Sequence, residues 1–260
     1  MTHMLSKTNL LLAVPPTEMM AAQGFGLTLA HMAYRVGGGP HLFRANLPVP
    51  VRGGVMLIDD AGFDGRGDPA PFCQEVVREC AARGYTGVIC DFDRHLPLLG
   101  QVIAGLSPLL AKRGWPLYVP EPYGRYSATA KVLIPTALSG GSLQVRLQEA
   151  VQQYGAARVA LAVERSAEDF FLPSPNGQGI RLTQEELQQR IQEREPVIFF
   201  SNELCAHYFT YMNRQNGAHF ILFDDAASIR NKLHTARSLD IADALLLYPE
   251  VSDLLSEILR

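Results

Sequence analysis

Residues 55–93 hold one complete strand–helix–strand unit, from Val55-Met56-Leu57-Ile58-Asp59-Asp60 to Gly84-Tyr85-Thr86-Gly87-Val88-Ile89-Cys90-Asp91-Phe92-Asp93. The first run is apolar without alternation and ends on two acids, and a Gly/Asp/Pro loop follows through Pro71. Phe72, Val76, Val77 and Cys80 then recur at helical spacing, and Gly84 stops the helix after Arg83. Val88 to Phe92 is the next apolar run. Continuous Val/Ile/Leu runs mark strands buried on both faces, as parallel strands between helices are.

The same alternation extends in both directions. Upstream, Leu10-Leu11-Leu12-Ala13-Val14 reads as a buried first strand. Lys7 before it suggests a secretory signal, but Pro15-Pro16 and Glu18 break that pattern. Downstream, a helix over Leu98–Lys112 closes at Gly114, and strands are predicted at Pro116–Val119 and Lys131–Leu138. A helix over Leu143–Tyr154 ends at Gly155, and Arg158–Val163 is a strand. Thr183 caps a polar helix to Arg194, with Glu186 completing a capping box. Strands Pro196–Phe200 and His219–Phe223, a helix over Ile229–Ser238 capped by Ser228, and a last strand Ala242–Leu247 complete the chain. The pattern predicts an α/β fold, a (β/α)8 TIM barrel forming a single domain over residues 1–260; a doubly wound open sheet is the competing arrangement. Residues about 165–215 break the alternation and are expected to form a small insertion against the barrel mouth.

A chain of 260 residues with 47% apolar and 19% charged residues has ample core material. Mean hydropathy is +0.03. The charge of −3 arises from 26 acids against 23 bases with no basic block, so no nucleic-acid partner is expected. No apolar run is long enough to span a membrane. Cys73, Cys80, Cys90 and Cys205 form no disulfide framework; Cys73 and Cys80, seven apart on a helix, lie roughly 10 Å apart. Reduced thiols and a cytoplasmic location are the expectation. No phosphate loop, nucleophile elbow or metal-ligand spacing appears, so neither a cofactor nor a metal is expected. Gly37-Gly38-Gly39-Pro40 reads as a turn, and His31, His219 and His234 as structural or surface residues.

Acids stand at the strand ends: Asp59 and Asp60, Asp91 and Asp93, Glu121, Glu164, and Asp224 with Asp225. In a parallel barrel all carboxyl ends open on one face, where active sites lie. Asp91 and Asp93, two apart, project to one side of their strand. Two such carboxylates resist joint ionisation, which leaves one able to act as a general acid.

Gly84 to Asp93 resembles the fourth-strand signature of glycoside hydrolase family 18, roughly Gly-hydrophobic-Asp-hydrophobic-Asp-x-Glu. That family comprises chitinases, peptidoglycan and spore-cortex glucosaminidases, and non-catalytic chitin lectins. His219-Phe220-Ile221-Leu222-Phe223-Asp224-Asp225-Ala226-Ala227-Ser228-Ile229-Arg230-Asn231-Lys232-Leu233 is similar to the Phe-x-Asp-Ala-x-Ser-Ile-x-x-Lys stretch of the spore-type branch. The resemblance runs from about residue 54 to the C-terminus. It implies a barrel acting on or binding N-acetylglucosamine-containing glycans, and it admits a spore-associated location. By the same resemblance Asp93 stands where the catalytic Glu belongs, Asp91 is the retained Asp, and Ile89 replaces the middle Asp. The Tyr-Asp pair after the sixth strand falls at Ile134-Pro135-Thr136-Ala137, and the floor Trp is Tyr248. Asp93 is one methylene short, about 1.5 Å of reach, and misplacement of that order costs about 100-fold in rate. The expectation is therefore catalysis weak or lost, with Asp93 and Asp91 as the catalytic pair. Tyr248, Glu121, Glu164, Asp59 and Tyr123 are the expected substrate-binding residues. Two other readings stand beside it: a non-catalytic scaffold, and a Mg²⁺-dependent barrel enzyme with Asp59, Asp91 and Glu121 as ligands.

Overall fold

In the computed structural model, which describes residues 8–46, 51–174, 177–213 and 217–260, the apolar runs close into a parallel barrel. Lys7 lies outside the described residues. The strands are β1 (Asn9–Val14), β2 (Thr28–Gly37), β3 (His41–Arg44), β4 (Val55–Asp59), β5 (Val88–Asp91), β6 (Leu117–Pro120), β7 (Lys131–Pro135) and β8 (Val159–Val163). They continue as β9 (Ala167–Leu172), β10 (Ile180–Arg181), β11 (Phe199–Ser201), β12 (Ala206–Met212), β13 (Ala218–Phe223) and β14 (Asp243–Leu247). The helices are α1 (Met19–Gln23), α2 (Pro69–Arg83), α3 (Pro97–Ala111), α4 (Leu143–Tyr154), α5 (Gln184–Arg194), α6 (Ala226–Ser238), α7 (Tyr248–Val251) and α8 (Leu255–Ile258).

The barrel runs β1-β14-β8-β7-β6-β5-β4-β2, and pairing of β1 with β2 closes it. Its second strand is thus Thr28–Gly37, a stretch whose pattern predicts no strand. A register shift between Met32 and Tyr34 interrupts its alternation, and polar His31 and Arg35 dilute the apolar signal. β3 pairs antiparallel with β2 across the turn at Gly37–Pro40.

Alternation sorts each barrel strand into two sets. Leu11, Ala13, Ala30, Val55, Leu57, Ile89, Tyr118, Leu133 and Ala160 fill the lumen. Val76, Val77, Leu99, Val102 and Leu106 of α2 and α3 pack on the outward residues Met56, Ile58, Val88 and Cys90. Leu143, Leu147, Ile229 and Leu233 of α4 and α6 pack on Leu10, Leu12, Val132, Leu161 and Leu246. Helix α2 starts where the Asp68 carboxylate accepts from the Ala70 amide, and ends where Gly84 turns left-handed at φ 74. All four cysteines are buried free thiols. At the amino-terminal end of the barrel, Asp243 binds Asn9 Nδ2 at 2.6 Å, the Tyr118 hydroxyl at 3.4 Å and the Lys131 ammonium.

Between β8 and α6 the chain leaves the barrel as an antiparallel sheet of order β10-β9-β13-β12-β11. Leu187 of α5 packs on its Phe209, Ile221 and Phe223. His219–Phe223, read from sequence as a barrel strand, belongs to this sheet. It looked like a barrel strand because its apolar residues are buried alternately on both faces of the sheet. The insertion therefore extends past residue 215 to Phe223. Helix α6 starts at Ala226 with Asp225 as its cap, and Ser228 is the reciprocal partner at the third position rather than the cap.

At the neck of the insertion the Asp224 amide donates to the Ser166 carbonyl at 2.8 Å. The Asp224 carboxylate accepts from the Ser166 amide at 2.8 Å, the Ser228 hydroxyl at 2.7 Å and the Lys232 ammonium at 2.6 Å. Asp224 and Lys232 are 0% and 1% exposed at their side chains. Asp224, Ser228 and Lys232 of the second sequence motif thus fasten the insertion to the barrel.

Candidate functional site

The carboxyl ends of the barrel strands form the mouth. On β4 the lumen residues are Val55 and Leu57, so Asp59 continues the inward set and Asp60 the outward one. On β5, Ile89 is inward and fully buried, and Asp91 is the next inward residue, exposed at the mouth. On β8, Ala160 and Ala162 face inward, which sets Glu164 toward the mouth. Asp59 and Asp91 are register partners.

These carboxylates act on one another. The walls of the mouth crowd Asp91 and push its carboxyl up to about 6, although solvent still reaches it; repulsion from Asp93, Asp59, Asp60 and Glu164 adds to the shift. Glu164 is also raised, first by burial and then by Glu250, while Arg181 and Lys232 oppose the shift. A carboxyl with proton affinity near neutrality is suited to general acid work.

Strand β5 ends at Asp91, so strand alternation does not reach Asp93. Asp93 is set instead by Asp60, whose buried carboxylate accepts from the Asp93 amide at 3.1 Å and from the Arg94 amide and Nε at 3.2 Å each. The sequence flags Asp60 only as one of two acids; that consecutive acids face opposite ways was the available sign of a different role. Thr136, fully buried, accepts from the Glu164 amide at 3.3 Å and was not anticipated.

The remaining expected site residues lie elsewhere. Glu121 follows β6 in the outward set and pairs with Arg146 of α4. Tyr123 is 3% exposed, and its hydroxyl accepts from the Leu96 amide at 3.1 Å and donates to the Arg94 carbonyl, so its ring supports the loop after β5 rather than offering a stacking face. Tyr248 packs edge-on against Phe25, 6.3 Å between ring centres, in the cluster outside the barrel. Leu247, one residue earlier, is what faces the lumen there. Among the described residues no three His, Cys, Asp or Glu side chains come together as a metal site, and Asp59, Asp91 and Glu121 are divided by the turn of Glu121 toward Arg146.

A cavity of about 460 Å³ opens on the same end of the barrel, between Ala137–Ser139 after β7 and Ser166, Glu168, Gly177–Gly179 and Leu222 of the insertion. The site is thus an open, acid-lined barrel mouth with one carboxyl of raised proton affinity at the end of the fourth barrel strand.

No protein-family model and no curated protein matches the chain. Solved structures do. The spore cortex-lytic enzyme SleL of Bacillus megaterium superposes with TM-score 0.66 at 15% identity, covering 97% of this chain and 74% of that one. A chitinase from Chromobacterium violaceum gives TM-score 0.66 at 12% identity, covering 95% and 97%. A class V chitinase from Nicotiana tobaccum, solved with NAG4, gives 0.61 at 11% identity and covers 93% of each chain. At such identities the likeness establishes the fold. It is the (β/α)8 barrel these enzymes share, and β5, Val88–Asp91, is the fourth strand of this chain's barrel.

Proposed function

We propose that this protein binds N-acetylglucosamine-containing glycans at the barrel mouth, with hydrolysis weak or absent. The observation that carries the reading is Asp91: it ends the fourth barrel strand, faces the mouth, and has its carboxyl pushed up to about 6. Asp93 beside it stands in for the longer acid, and Asp59 and Glu164 supply further acceptors for sugar hydroxyls. Ile89 at the position of the middle Asp, buried in the lumen, offers no polar group to the reaction. That loss and the short reach of Asp93 weigh toward binding over turnover. SleL among the fold relatives supports a spore-associated setting.

Calorimetric titration with N-acetylglucosamine tetramer and hexamer, alongside an assay for new reducing ends, tests the proposal. Binding by the wild type, weakened at least about tenfold in Asp91→Asn, which corresponds to one lost charged hydrogen bond, supports it. Neither binding nor cleavage across chitin and peptidoglycan fragments would overturn it in favour of a scaffold. The magnesium reading is disfavoured because Glu121 is held by Arg146.

A further inference from the structure

Arg94 follows Asp93 directly and is the cation nearest to it in sequence, yet each of its three guanidinium nitrogens donates to the loop after β4. Nε donates to Asp60 Oδ2 at 3.2 Å, Nη1 to the Phe63 carbonyl at 2.6 Å, and Nη2 to the Asp60 carbonyl. Asp60 is 4% exposed at its side chain and Arg94 43%. The same carboxylate accepts the amides of Asp93 and Arg94. It therefore joins the loop after β4 to the loop after β5. Tyr123 braces the second loop from below through Leu96 and Arg94, with Phe92 edge-on to its ring at 5.9 Å.

We propose that Asp60 is the positioning residue of the mouth: its buried carboxylate fixes the backbone that carries Asp93 and holds the Arg94 guanidinium away from Asp91 and Asp93. Without that hold, the freed guanidinium, 43% exposed and next in sequence to Asp93, can turn to the mouth carboxylates, whose charged forms it would stabilise. The mouth would then lose the protonated carboxyl on which acid chemistry or neutral hydrogen bonding to a sugar depends. The role rests on the glycan reading for its purpose but on the hydrogen bonds alone for its geometry.

The charged groups acting on Asp91 are Asp93 on its own loop, Asp59 and Asp60 from the third barrel strand, and Glu164 across the mouth. Site-resolved carbon NMR titration of the Asp91 carboxyl reads the effect directly. In Asp60→Asn the Asp91 midpoint should fall by about one pH unit or more, from loss of one negative neighbour and approach of Arg94. In Asp60→Asn/Arg94→Gln it should fall by less, because no guanidinium is released. In Arg94→Gln alone it should rise, because Asp60 is left without its counter-charge. A loss of stability alone would not move the midpoint in opposite directions. An Asp91 midpoint in Asp60→Asn unchanged to within about 0.3 units, or a fall in Arg94→Gln, overturns the proposal. If Asp60→Asn does not fold, the sign of the shift in Arg94→Gln decides, since that side chain is partly exposed. Failure of the wild type to bind oligosaccharide would sink the glycan reading and leave these titrations standing.

Discussion

Replacing Lys232 by Met should destabilise the protein more than almost any other single change at the neck. Its ammonium and the Asp224 carboxylate are 2.6 Å apart and out of contact with water. Methionine keeps most of the unbranched stem, so the substitution opens little cavity and isolates the charge effect. The carboxylate retains two neutral donors, the Ser166 amide and the Ser228 hydroxyl. Breaking one side of a buried pair costs about 3–5 kcal/mol. For a chain of this size each kcal/mol shifts Tm by about 2–4 °C, so the transition should fall by roughly 6–20 °C. Thermal unfolding followed by far-UV circular dichroism measures it. The paired variant Asp224→Asn/Lys232→Met should recover at least half of the loss, because a neutral amide no longer needs a counter-charge. Limited proteolysis adds a local readout: cleavage in the single variant should concentrate within residues 167–223. A loss below about 1 kcal/mol in Lys232→Met would refute the reasoning, since an uncompensated buried carboxylate cannot cost so little.

His31 is fully buried with its ring against Tyr85 at 4.8 Å, and burial lowers its pKa from 6.5 to about 4, opposed more weakly by the Gly53 backbone. The unfolded chain takes up this proton first, so stability should fall by roughly 3 kcal/mol between pH 6.5 and 4, and His31→Phe should flatten that slope in urea titrations. Asp91 acts with the opposite sign. Its folded pKa is raised from 3.8 to about 6, so its contribution is present below pH 3.8 and lost as pH rises through 6. Asp91→Asn should therefore raise Tm at pH 8 and leave it unchanged near pH 3.5. On the proposed glycan reading, Asp93→Glu adds the methylene of reach that Asp93 lacks, and should raise or create a weak release of reducing ends from N-acetylglucosamine oligomers.

Most barrel strands were legible because burial on both faces leaves an unbroken apolar run, as in Val55–Ile58 and Val88–Cys90. β2 was not, because its register shift and its histidine and arginine dissolve the run. His219–Phe223 misled for the converse reason: an inner strand of an antiparallel sheet that is covered on both sides imitates a parallel one. Asp59, Asp91 and Glu164 were legible as strand-end acids; Glu121, Asp224 and Asp225, read with them, turn to Arg146, close the neck of the insertion and cap α6. That division of labour was not legible. Whether an acid meets solvent, a neighbour's amide or an arginine depends on which side of its strand it leaves, and loops such as 60–68 and 92–96 bring in partners that no local period encodes. Tyr123 and Tyr248 show the same limit: an aromatic near a strand end can support a loop or pack outside the barrel as readily as line it.

The barrel is closed by its first and last strands, with Asn9 bonded to Asp243 across a separation of 234 residues. During synthesis β1 leaves the ribosome long before β14 exists. Until Leu247 emerges, the seam between β1 and β8 stands open, and the apolar residues of both strands lack their eventual neighbour. No subset of the earlier strands can complete the ring, so closure of this barrel waits on translation of β14. A ribosome-bound intermediate stalled before residue 243 would present two unpaired strand edges, each a template for pairing with another chain.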